Sequence, residues 1–115
     1  MAHEGLHEPA ELLDEATIDR HRALESVIEE LEAIDWYDQR IKASTDPELQ
    51  AVLAHNRNEE KEHASMLLEW LRRNDAEFET HLRTYLFSQG SIREVKTRSG
   101  GEGAGAGLSI GSLRG

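Results

Sequence analysis

Between Ala10 and Asn74, apolar residues recur every three or four positions with polar residues between them, the period of an amphipathic α-helix. Two segments carry the pattern. In the first, Leu13, Leu24, Val27, Leu31 and Ile34 share one face; in the second, Leu49, Val52, Leu53, Met66, Leu67, Trp70 and Leu71 define a sharper one. No Gly or Pro interrupts 10–43 or 48–74. Pro9 and Pro47 each fit a first helical turn, where the missing N–H costs nothing. Thr45 and Asp46 both qualify as N-caps ahead of Pro47, with Thr45 at capping-box spacing from Glu48. The pattern predicts two long helices joined at Ser44-Thr45-Asp46. A shorter third helix follows an Asn74-Asp75 stop, with Phe78, Leu82, Tyr85 and Leu86 on one face and Gly90 ending it. Period-2 alternation is absent, so the predicted fold class is all-α: an antiparallel two-helix hairpin plus a short third helix.

The composition shifts near the C-terminus. Residues 1–8 read as a flexible N-terminus, 9–90 as the helical domain and 91–107 as a flexible Gly-rich linker ending in Gly-Gly-Glu-Gly-Ala-Gly-Ala-Gly. The last eight residues, Leu108-Ser109-Ile110-Gly111-Ser112-Leu113-Arg114-Gly115, place an apolar cluster at the end of that arm. The chain has 23 Asp and Glu against 13 Lys and Arg, a net charge of -10, and residues 91–115 are basic on balance. The helical body is therefore strongly acidic, which argues against nucleic acid and against an anionic membrane surface as partners. Metal cations are its natural counter-charge. The absence of cysteine excludes thiolate ligands and cysteine nucleophiles. The polar opening Met1-Ala2-His3-Glu4-Gly5 is unlike a secretory signal, and no apolar run approaches the ~20 residues of a membrane span, so a cytoplasmic protein is expected. At 37% hydrophobic residues the chain is poor in core material for a monomer, and an oligomer is expected.

Candidate chemistry lies in the middle of the two long helices. Glu30 borders the apolar face of the first, in a stripe with Ile34, Tyr37 and Ile41. Asn56, Glu60 and His63 lie at the centre of the apolar face of the second, with Glu59 beside them. A carboxylate placed there must be paired, protonated or metal-bound, because burying it alone costs several kcal/mol. Arg57 and Lys61 point away from the stripe, so no local base serves Glu60. Thr45 at the hairpin apex is fifteen residues from both Glu30 and Glu60, which brings the two carboxylates level in an antiparallel pair. Glu60-Lys61-Glu62-His63 is the E-x-x-H spacing that sets a carboxylate and an imidazole one turn apart. Di-iron carboxylate bundles use two single glutamates and two such pairs on four helices. This chain supplies half of that set, and a two-fold dimer would complete it. Glu59, four residues before His63, is the alternative to Glu60.

At this point the sequence resembles the encapsulated ferritins. The likeness is carried by 29–40 (Glu-Glu-Leu-Glu-Ala-Ile-Asp-Trp-Tyr-Asp-Gln-Arg), by 53–63 (Leu-Ala-His-Asn-Arg-Asn-Glu-Glu-Lys-Glu-His) and by 69–73 (Glu-Trp-Leu-Arg-Arg). It covers roughly Pro9 to Phe87, and residues 108–115 resemble the targeting peptides that load cargo into encapsulin shells. The resemblance implies a half-ferritin chain that dimerises into a ferritin-like four-helix bundle, assembles into a ring of five dimers, and acts as a ferroxidase inside an encapsulin nanocompartment, where the iron is stored. It implies two Fe per dimer interface, held by Glu30, Glu60 and His63 of both chains, with Tyr37 close by. Glu29, Glu32 and Trp36 would form an outer, cation-attracting site, open to a second cation such as Ca. Leu108, Ile110 and Leu113 would be the apolar contacts of the targeting peptide.

The residues by themselves also admit plainer readings. The stripe of Glu25, Glu29, Glu32 and Trp36 is equally a solvated acidic face. Tyr37, Trp36 and Trp70 serve equally as packing or interface aromatics. His21, His55 and His81 have no matching carboxylate and read as surface or interface residues. The alternatives to an iron oxidase are a non-catalytic metal-binding helical cargo protein and a purely structural helical oligomer.

Overall fold

The computed structural model describes residues 5–96, which fall into two compact units dividing between Asn74 and Asp75. Residues 1–4 and 97–115, including most of the Gly-rich arm with Leu108, Ile110 and Leu113, lie outside the described residues.

In the first unit, α1 spans Glu15–Ala43 and α2 spans Pro47–Arg73. The first long helix does not start at Pro9, which opens only a 3-10 turn over Ala10–Leu12. Leu13 then adopts extended backbone, and Asp14 caps α1 by accepting a 2.8 Å bond from the Thr17 N–H. The physical reason is that proline tolerates a helix start but offers no acceptor for the orphan N–H groups, whereas aspartate supplies one. Leu13 is therefore not part of the α1 face. Three residues, 44–46, connect the helices, as the pattern predicts. Of the two candidate caps, Asp46 acts: its carboxylate accepts from the Glu48 and Leu49 N–H groups at 2.9 and 3.4 Å, with Pro47 in the first turn. Gln50 closes the turn, its side-chain amide donating to the carbonyls of Ile41 and Ser44 at the end of α1.

The buried hydrophobic residues of this unit are Ala23, Val27, Ala64 and Leu71. Larger residues of both predicted faces remain open, Leu31 at 52% and Met66 at 58% exposure, together with Leu24, Leu49, Val52 and Trp70; Ile28 and Trp36, outside those faces, are exposed as well. Two helices shield each other only along the seam where they meet, and small residues there allow close approach. Gly5, at φ +85, lies beside the Glu25 and His21 side chains of α1, and its left-handed backbone is what calls for glycine.

In the second unit, α3 spans Ala76–Tyr85 and is capped by Asp75, whose carboxylate accepts from the Phe78 N–H at 3.0 Å. The helix ends before Gly90. Leu86 is already extended and Phe87 takes a positive φ of 60°. Thr84 is buried and its hydroxyl donates to the Thr80 carbonyl at 3.1 Å. A second 3-10 turn covers Ile92–Glu94. No strand occurs among the described residues, and no helix among them is long and apolar enough to cross a membrane.

Candidate metal centre

Glu30 comes from the middle of α1 and Glu60 and His63 from successive turns of α2. Asp14 and Asp46 fix where the two helices begin, and the three-residue turn fixes their register. The result is convergence. His63 Nδ1 lies 3.1 Å from Oε1 of Glu60 and 3.7 Å from Oε1 of Glu30. One potential ligand atom from each of the three residues lies within 4.8 Å of the other two. The two glutamate side chains are about three-quarters shielded, while His63 is roughly half exposed.

The electrostatics follow from crowding. Glu30 is pushed above the ordinary carboxylate range, first because it shares a hydrogen bond with Glu60 and then because it is desolvated beside a like charge. Glu60 is held below that range by the same hydrogen bond and by His63. The hydrogen bond to Glu60, aided by the negative charge of Glu30, raises His63 above the ordinary imidazole value. Protons and an incoming cation would therefore compete for the same atoms of Glu30 and His63. Carboxylate oxygens with one imidazole nitrogen suit Fe(II), Fe(III), Mn or Zn. Three donors are too few to saturate two such ions.

The neighbouring residues divide clearly. Glu59 turns to His55, 3.2 Å away, and not to His63. Tyr37, on the same stripe as Glu30, is partly buried, with the Arg40 guanidinium 5.7 Å from its ring centre. Glu29, Glu32 and Trp36 are exposed and stand outside the three-residue group.

Two features were not anticipated. His55 and His81 do have carboxylate partners: besides the Glu59 pair, His81 Nε2 lies 2.9 Å from Glu77 Oε2. Both pairs use the i, i+4 spacing, so the signal was present in the sequence. Arg57 does avoid Glu60, and its partner is Asp38 across the seam, with Nη1 donating to Oδ1 at 2.9 Å.

Fold and cluster together define an acidic helical hairpin with a carboxylate–imidazole group at mid-height. The chain belongs to the EncFtn-like family, whose model matches residues 5–89. It is 59% identical to an encapsulated ferritin-like protein of Rhodospirillum rubrum, over 95% of this chain and 87% of the relative. It is 47% identical to a ferritin-like protein of Thermotoga maritima, over 93% of this chain and 96% of that one. An encapsulin nanocompartment cargo protein of Myxococcus xanthus, EncC, is 32% identical over 74% of this chain and 76% of its own length. Among solved structures, a protein of Nitrosomonas europaea superposes with a TM-score of 0.75 at 55% identity, covering 77% of this chain and 98% of that one.

Proposed function

We propose that this protein is a ferroxidase whose centre is completed by a second copy of the chain, and that it works as cargo of an encapsulin shell. The observation that carries the reading is the convergence of Glu30, Glu60 and His63 within 4.8 Å. Fe(II) is the substrate. Two Fe(II) ions each lose one electron, and dioxygen takes up both electrons with two protons and leaves as hydrogen peroxide. Glu30 and Glu60 bind the ions through hard oxygens and offset their charge, and His63 contributes a neutral imidazole. Because ions and protons compete for Glu30 and His63, binding is linked to proton release.

One chain provides three donors, and a two-fold partner would double the set. The exposed apolar residues of the hairpin supply the material for such an interface, a single chain leaving Met66, Trp70, Leu24, Ile28 and Leu31 open. A decameric ring of five dimers is the assembly that the family resemblance implies. Glu29, Glu32 and Trp36, exposed on α1, are proposed to gather cations, and Tyr37 to stand beside the centre. The encapsulin reading draws support from the names of the R. rubrum and M. xanthus relatives. Residues 108–115 are proposed as the docking peptide and 91–107 as its tether.

The deciding experiment is aerobic addition of Fe(II) to the purified oligomer, following Fe(III) absorbance. Rapid growth over the protein-free rate, lost in Glu60→Ala, supports a ferroxidase. Metal binding without faster oxidation would make the protein a non-catalytic metal-binding cargo.

A further inference from the structure

Arg57 stands three residues before Glu60 on α2, a spacing at which side chains of one helix meet. A guanidinium is charged at every accessible pH and its fork matches a carboxylate bidentately, so an arginine at that position is a built-in rival to any cation bound by Glu60. Its actual partners are elsewhere. Nη1 donates to Asp38 Oδ1 of α1 at 2.9 Å and Nε to Asn58 Oδ1 at 3.3 Å. The Arg57 side chain is only 25% exposed, so it is held in this arrangement by packing as well as by charge. Asp38, by contrast, is 53% exposed, is not one of the three converging residues, and has Arg57 as its ion-pair partner.

We infer that Asp38 is a positioning residue for the cation site: by holding Arg57 across the seam it keeps the guanidinium out of the Glu30–Glu60–His63 cluster and leaves that cluster's negative charge to an external cation. The inference rests on reading the cluster as a cation site. Without Asp38 the guanidinium is released, and Glu60, one turn along α2, is a carboxylate it can turn to, so that an entering ion would compete with an internal positive charge. Asp38 thus acts through Arg57, as a positioning residue.

The test uses Co(II) alone, titrated calorimetrically and by visible absorption into the full-length protein and its variants, with helicity checked for each. Asp38→Asn should bind Co(II) roughly three- to fivefold more weakly, the fold-change expected when a pair of surface-ion-pair strength competes with the metal. Arg57→Gln should bind within about twofold of wild type, and the double variant Asp38→Asn/Arg57→Gln should recover, because the rival charge is gone. Asp38→Glu, which keeps the negative charge, should bind as wild type and guards against a folding defect. Wild-type affinity in Asp38→Asn overturns the inference. So does equal weakening in Arg57→Gln and in the double variant, which would make the pair a clamp on helix register. Failure of the underlying reading shows differently: wild type would bind no Co(II), or Glu60→Ala would bind as well as wild type.

Discussion

Glu30 of α1 and His63 of α2 approach to 3.7 Å across the helix seam, so the charge state of one imidazole is felt on both helices. Because Glu60 and Glu30 raise the His63 pKa, the stabilisation from its protonated form is complete below the unfolded value of about 6.5 and is lost as pH rises through the higher folded value. Cation binding needs the neutral ring, so affinity runs the opposite way. The melting temperature of metal-free protein should fall, and Co(II) affinity should rise, across and just above the usual imidazole range. Both slopes should flatten in His63→Gln. Thermal scans and titrations over a pH series read the two together.

Glu30→Ala, Glu60→Ala and His63→Ala should each remove a donor twice per dimer and reduce Fe(II) oxidation to near the protein-free rate. Glu59→Ala, whose partner is His55, should retain most of it. Metal-free Glu30→Ala should melt at the wild-type temperature or above, since it relieves the crowding that raises the Glu30 pKa. Stopped-flow absorbance and calorimetry distinguish these outcomes.

Met66 is 58% exposed in the single chain, so a charge there leaves the hairpin intact. Met66→Glu should dissociate the oligomer while preserving helicity, and oxidation should disappear with assembly. Sedimentation run beside the oxidation assay checks it. A fully active monomer would sink the shared centre.

Near the end of α2, Glu69 accepts from both Arg72 and Arg73 at 2.7–2.8 Å, and Arg72 first, then Arg73, lowers its pKa from 4.5 to about 2. This contribution is present above pH 4.5 and vanishes as pH falls through about 2. Acid unfolding followed by circular dichroism should begin at higher pH in Glu69→Gln. The effect should be small, because the carboxylate is partly exposed and solvent screens it.

Deleting residues 108–115 should leave oxidation in solution unchanged and abolish co-purification with an encapsulin. Single peptides bind weakly, but an oligomer presents many at once. Wild-type loading of the truncated protein would remove these residues from the targeting role.

The hairpin was legible because two uninterrupted helical periods flank a three-residue turn, and because Glu30 and Glu60 are equidistant from Thr45. The E-x-x-H spacing then made His63 a candidate. The start of α1 was harder to read: proline and aspartate both announce a helix, and which one begins it depends on where the chain turns. Leu24, Leu31 and Leu49, marked as core, proved about half-exposed, while Leu71, Ala23 and Ala64 are buried. Hydrophobicity locates a face but does not say whether its cover comes from the same chain. The Asp38–Arg57 pair depends on rotamers across the seam, which periodicity does not encode.

Those two alanines have a chemical consequence. A carboxylate and an imidazole on different helices share a proton, or grip one ion, only if the backbones behind them are near enough. A single methyl at each of these buried positions is compatible with that nearness, whereas a leucine there would need volume that close packing does not leave. The smallest side chains of the hairpin, carrying no donor atoms themselves, thereby determine the bite of its ligands.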